Sequence, residues 1–149
     1  MNDQPVAAPS EAPTKDALLA MGQHDYMNER QLAFFRQRLQ DERDEIQARL
    51  AEIRASIASH ERDSDEADQA SFEEELRLSL RQADRESRLV KNIDAALKRI
   101  ENGEYGFCEE TGEPIGIARL LFRPTARLCI EAKERQERQE THFRKTRWE

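Results

Sequence analysis

Between Gln23 and Asn102 the chain contains neither proline nor glycine. Those are the two residues that break helix interiors, one by losing its amide donor and clashing, the other by excess backbone freedom. Apolar residues in this stretch recur with helical spacing. Leu32, Phe35, Leu39, Ile46, Ile53 and Ile57 lie 3, 4, 7, 7 and 4 apart, and Leu50 broadens the stripe. The faces between are charged, as in Gln40-Asp41-Glu42-Arg43-Asp44-Glu45. The pattern predicts one helix from about residue 28 to 60, on the order of 50 Å long. Asn28 is its expected cap, with Gln31 as capping-box partner.

Such a stripe has to be covered, because an isolated helix of this kind is not stable in water. The cover lies downstream. Leu76, Ala83, Val90 and Leu97 fall seven apart, and Phe72, Ser79, Glu86, Ile93 and Ile100 form a second series that is apolar only at its ends. Together they make a coiled-coil seam with a weak middle. The short linker around Asp63-Ser64-Asp65 folds the two helices back into an antiparallel hairpin. Either Asp65 with Asp68, or Ser71 with Glu74, supplies the cap of the second helix.

Composition supports a small module carrying exposed helices instead of one thick core: 37% of residues are charged and only 6% aromatic. Residues 1–25 read as a flexible N-terminal segment, with Pro5, Pro9 and Pro13 among small polar residues. Within it, Ala17-Leu18-Leu19-Ala20-Met21 offers a helical turn or two that docks on either the hairpin or the module. Four of the five glycines fall at 103, 106, 112 and 116, so the long helix stops near Gly103 and a loop-and-hairpin module follows to about 132. Ile115, Ile117, Leu120, Leu121 and Phe122 are its expected packing residues. A last helix, rich in Glu, Arg and Gln, runs from about Leu128 to Thr146.

The net charge of −7 is concentrated. From His60 to Glu75 one base, Arg62, faces eight acids, so this stretch alone carries −7 and the remainder is nearly balanced. A broad nucleic-acid-binding face is therefore not expected; a partner met by a local acidic tip is. No apolar run approaches the roughly 18 residues of a membrane span, and the first residues lack the order of a secretory signal. The expectation is a soluble, cytoplasmic protein, and two cysteines are too few for a disulfide framework.

Several segments resemble one known family. They are Tyr-Met-Asn-Glu-Arg-Gln-Leu-Ala-Phe-Phe at 26–35, Asp-Glu-Ala-Asp-Gln-Ala at 65–70 and Glu-Glu-Glu at 73–75. Asp-Arg-Glu-Ser-Arg-Leu at 84–89 and Gly-Glu-Tyr-Gly-Phe-Cys at 103–108 follow. Ile-Gly-Ile-Ala-Arg-Leu at 115–120 and Arg-Pro-Thr-Ala-Arg-Leu-Cys-Ile at 123–130 complete the set. In this order and spacing they resemble the DksA/TraR family of bacterial transcription regulators, of the DksA type. The resemblance implies a mainly α fold: a long antiparallel coiled-coil hairpin (26–102, tip near 61–70) on a small zinc-finger-like module (103–132), with a C-terminal helix and tail (133–149). It also implies a partner, bacterial RNA polymerase, bound through its secondary channel, and regulation of initiation in the stringent response together with guanosine tetraphosphate. Neither sequence-specific DNA binding nor a membrane is implied, and a hairpin that buries its own seam is expected to be a monomer.

The resemblance assigns roles to individual residues. Asp65, Asp68 and Ala70 match the tip pattern Asp-x-x-Asp-x-Ala, in which the second carboxylate acts on the polymerase active region and the small alanine permits close approach. Taken alone, the two acids read as solvated caps. As magnesium ligands for hydrolysis they would need a fixed constellation with supporting groups, which an exposed tip does not offer, so no enzyme is expected. Arg85 and Leu89 match polymerase-contact positions, and Gln82 and Arg88 lie beside them; the ordinary alternative is surface charge paired at helical spacing, such as Asp84–Arg88. Arg123 and Lys133 match basic positions that hold guanosine tetraphosphate. A further family lysine falls at Asn92, and Lys91 next to it points roughly 100° away.

The family module carries two Cys-x-x-Cys pairs, whereas this chain has Cys108 with Thr111 and Cys129 with Ala132. Half of each pair is missing, and His142 lies too far along to substitute. A structural zinc site needs four ligands, so neither metal nor cofactor is expected, and apolar packing by Ile115, Ile117, Leu120 and Phe122 takes over part of the load. The degraded pairs and Asn92 keep a second reading open: a structural or adaptor coiled-coil protein without activity on polymerase.

Overall fold

The computed structural model describes residues 12–63 and 69–146, with the side chains of 60–63 left aside. The described residues form helices α1 (Lys15–Ala20), α2 (Glu29–Asp63), α3 (Gln69–Glu101), α4 (Ile117–Phe122) and α5 (Ile130–Thr146). A single 3₁₀ turn lies at Gln23–Asp25, and one antiparallel bridge joins Phe107 to Pro114. The chain divides into two compact units. One is Gln37–Glu104, and the other joins residues 12–36 to 105–146.

In the Gln37–Glu104 unit, α2 and α3 run antiparallel, because partner numbers fall on α3 as they rise on α2. Arg43 pairs with Asp94 at 3.0 Å and Arg49 with Glu86 at 3.3 Å. The heptad logic accounts for the core: Leu39, Ile46 and Leu50 from α2 are buried, as are Ile93, Ala96 and Ile100 from α3. Each of these leucine and isoleucine side chains contributes on the order of 1.5–3 kcal/mol of burial, and the Ala96 methyl less. Towards the tip the seam thins, and Ile53, Ile57, Phe72, Leu76 and Ser79 are only half-buried. Ser71 lies inside α3 and does not cap it. At its other end α3 stops in a Schellman motif. Glu104 N–H donates to Arg99 C=O and Gly103 N–H to Ile100 C=O, while Gly103 takes φ 75°, which costs glycine little.

The second unit is knit from both ends of the chain. Asn28 caps α2 by accepting from Gln31 N–H at 2.9 Å, and the buried Gln31 reaches back past the cap to accept from Met27 N–H at 2.7 Å. α1 begins at Thr14, whose hydroxyl accepts from Ala17 N–H. It packs on α4, and each contributes a fully buried leucine, Leu18 and Leu120. Phe35 and Tyr105 lie ring to ring at 5.7 Å, and the Tyr105 hydroxyl donates to Pro124 C=O at 2.7 Å. Ile115 is buried as expected, but Phe122 is not: it is 88% exposed. Two residues on from Leu120 is about 200° around a helix, so burying Leu120 turns Phe122 outward. Among the described residues, no helix is long and apolar enough to cross a membrane.

Candidate functional site

The residues singled out above fall in separate parts of the chain. Asp65 and Asp68 lie outside the described residues. Ala70 stands exposed in the first turn of α3, so a partner would meet a methyl group there and little bulk. Arg85 and Leu89 lie one helical turn apart on α3, both exposed, with Leu89 41% accessible. Arg88 pairs with Asp84 at 3.0 Å, the surface pairing that spacing alone suggests. Asn92 is exposed on the same helix.

Arg123 and Lys133 both belong to the second unit. Arg123 closes α4, donating its backbone N–H to Arg119 C=O at 2.8 Å, and its side chain is exposed. Lys133 sits in the first turn of α5, with Nζ 3.8 Å from Glu137. The Lys133 side chain is 36% exposed. The nearby Arg119 serves the fold: its Nε donates to Leu128 C=O at 3.1 Å.

The cysteines lie in two turns that the backbone ties together, since Glu109 N–H donates to Arg127 C=O at 2.9 Å. Cys108 N–H donates to Glu113 C=O, and Cys108 C=O accepts from Gly112 N–H, closing a tight loop. Both thiols are buried and free. Thr111 Oγ1 lies 3.9 Å from Cys129 Sγ and also hydrogen-bonds the Cys108 sulfur. Burial pushes the Cys108 thiol up. The Thr111 hydroxyl and the N–H groups of Cys129, Thr111 and Glu110 outweigh that and bring its pKa down from 9.0 to about 6.

Tyr26 is the residue that sequence reasoning passed over. Its hydroxyl donates to Gly106 C=O and accepts from Gly116 N–H at 2.9 Å, and its ring meets Phe107 edge-on at 5.5 Å. One side chain thus holds both arms of the 106–116 loop. Burial pushes its phenol up, with the amides at Gly116 and Ile115 opposing. Gly106 must be glycine here: it takes φ 88°, and a Cβ would stand 2.7 Å from Met27 Sδ.

Two family models match the chain: the DnaK suppressor protein DksA N-terminal domain over residues 31–100, and the prokaryotic dksA/traR C4-type zinc finger over 103–138. The chain is 48% identical over 119 residues to the RNA polymerase-binding transcription factor DksA of Caulobacter vibrioides, covering 77% of this chain and 82% of that one. It is 43% identical over 113 residues to the Escherichia coli K12 protein of the same name, covering 73% of each. Among solved structures, transcription factor DksA2 from Pseudomonas aeruginosa is 52% identical and superposes with a TM-score of 0.81, covering 87% of this chain and all of that one.

The residues present do not fit the four-ligand zinc site that the second model's description names. Ala132 is fully buried and has no donor atom, and the Thr111 hydroxyl is engaged with both sulfurs and with Glu113 N–H. Two thiols remain, short of a tetrahedral set. Among the described residues there is no group of three or more His, Cys, Asp or Glu able to hold a metal.

Proposed function

The chain belongs to the DksA family, and on that premise we propose that it binds bacterial RNA polymerase and regulates transcription initiation without chemistry of its own. The observation that carries this reading is joint retention: a 52% identical DksA2 chain is covered over its whole length, hairpin and module together. The hairpin enters the secondary channel tip first. Asp65 and Asp68 bring carboxylates to the active region, and Ala70 leaves room for approach. Arg85 and Leu89 contact mobile polymerase elements from one face of α3.

Guanosine tetraphosphate is held at the polymerase interface by Arg123, which suits bidentate phosphate contact, and by Lys133. Asn92 supplies a hydrogen bond where a third cation would otherwise stand, so the nucleotide response is weaker than in relatives with a lysine there. Residues 103–132 act as a zinc-finger-like module held by packing and the Tyr26 clasp, between the 26–102 hairpin and the 133–149 helix and tail. The protein works as a cytoplasmic monomer, in the stringent response.

The test is transcription in vitro from a ribosomal promoter, with and without guanosine tetraphosphate, comparing wild type with Asp68→Asn. Wild type inhibits, and the variant loses inhibition while still binding polymerase. Equal inhibition by both would overturn the role of the tip, and a wild-type protein that does not bind polymerase would overturn the reading as a whole.

A further inference from the structure

Phe122 ends α4 and is 88% exposed, more than any other large apolar residue among those described. The fold draws nothing from its ring: α4 packs on α1 and buries Leu120, and that choice of face turns Phe122 outward. One turn back on the same side of the helix stands Ala118, exposed and too small to cover the ring. A single apolar residue on a surface needs no explanation of its own. Here the neighbouring residues supply one.

Arg123 follows directly, exposed and with no acidic partner among the described residues. Two hydrogen bonds tie this end of α4 to the segment leading into α5. Ala126 N–H donates to Arg123 C=O at 3.1 Å, and Arg119 Nε to Leu128 C=O at 3.1 Å. Lys133 then stands in the first turn of α5, three residues after Ile130, which is 52% exposed. A guanidinium suits phosphate, and a ring with an open face suits a purine, because base–aromatic stacking needs only the flat surface. Side by side they match a ligand that carries phosphate and base on one sugar. An apolar protein surface would call for a contiguous patch, whereas Phe122 is flanked by half-buried Leu121 and exposed Arg123.

We propose that Phe122 is the base platform of the nucleotide site: the guanine of guanosine tetraphosphate stacks on its ring while Arg123 and Lys133 hold the phosphates. The inference rests on the nucleotide reading above and deepens it. The two cations read phosphate alone, and the ring adds recognition of the base.

The test measures binding of guanosine tetraphosphate to the complex of the full chain with RNA polymerase, above binding to polymerase alone. Phe122→Ala changes a side chain that the fold leaves bare, so it is expected to melt with wild type and to bind the nucleotide about fivefold more weakly or worse. Phe122→Trp is expected to retain binding and Phe122→Leu to lose it, because the contact needs an aromatic face. Wild-type affinity in Phe122→Ala or Phe122→Leu overturns the platform. If Arg123→Ala loses binding in that same assay, the nucleotide reading stands without it. A loss of polymerase affinity by Phe122→Ala in the absence of nucleotide would make the ring a polymerase contact and also overturn the proposal. If the wild-type complex binds no more nucleotide than polymerase alone, the nucleotide reading itself fails and the platform falls with it.

Discussion

Arg49 on α2 meets Glu86 on α3 through two parallel contacts, Nε to one carboxylate oxygen and Nη2 to the other, each at 3.3 Å. The glutamate occupies a seam position and its side chain is only 12% exposed, while the arginine is half in solvent. A charged group in the seam is tolerable because the guanidinium fork satisfies both oxygens, and it penalises any slip of one helix along the other.

Glu86→Ala therefore removes both the pair and the register device. The half-exposed arginine limits the loss to about 1 kcal/mol. Glu86→Leu closes the seam with an apolar side chain and leaves Arg49 free to hydrate, so it is expected to be as stable as wild type or more so. Thermal melts followed by circular dichroism check both; a Leu variant less stable than the Ala variant would contradict the assignment.

Tyr26→Phe keeps the ring against Phe107 and deletes the hydroxyl that serves Gly106 and Gly116. The two orphaned backbone groups cost on the order of 1–3 kcal/mol. Urea titration should show a lower midpoint at an unchanged slope, and amide exchange should rise at Gly116.

Gly106→Ala meets two penalties: an alanine at positive φ, worth roughly 1–2 kcal/mol, and a Cβ pressed on Met27 Sδ. Met27→Ala in the same chain removes the second penalty and leaves the first. Partial recovery of stability in the double variant is the expected result, and full recovery would mean that the backbone at 106 carries no strain.

Cys108 links stability to pH. Its folded pKa of about 6 lies below the ordinary 9.0, so the folded state favours the thiolate. The stabilisation is complete above the unfolded pKa and is lost as pH falls through the folded value, so unfolding becomes harder between about pH 6 and 9. Thiolate absorbance near the folded midpoint, together with denaturation across this range, measures it. Cys108→Ser should flatten the slope.

Chelators should leave the melting temperature unchanged, because Cys108, Thr111, Cys129 and Ala132 do not form a four-ligand set. A drop in melting temperature on adding EDTA to protein purified without one would show a metal contributing to the fold.

The hairpin was legible because its information is local and periodic. Leu39, Ile46, Ile93 and Ile100 are buried where a seven-residue repeat puts them, and the polar seam positions Ser79 and Glu86 mark where packing weakens. Gly103 was legible as a stop for the same reason. Phe122 misled, because a six-residue helix has too few positions for its apolar side to be read from spacing. Tyr26 heads a family-like segment, but its clasp gave no signal, since its hydrogen bonds reach partners 80 and 90 residues away and nothing near it in sequence announces them. The missing cysteines could be counted directly, but not the hydrogen bonds that Thr111 now makes with the two that remain.

The 90-residue span between Tyr26 and Gly116 has a consequence for synthesis. A nascent chain leaving the ribosome can zip α2 onto α3 as soon as residue 100 or so is clear, because those contacts lie within the Gln37–Glu104 unit. The early segment around Leu18 and Tyr26 must wait for Gly106, Gly116 and Leu120 to emerge before it finds cover. The hairpin is thus made first, and the unit built from the two ends of the chain is sealed last. A nonsense codon between about residue 102 and Gly116 would leave a hairpin with its opening aromatic and leucine exposed, a natural handle for quality-control proteases.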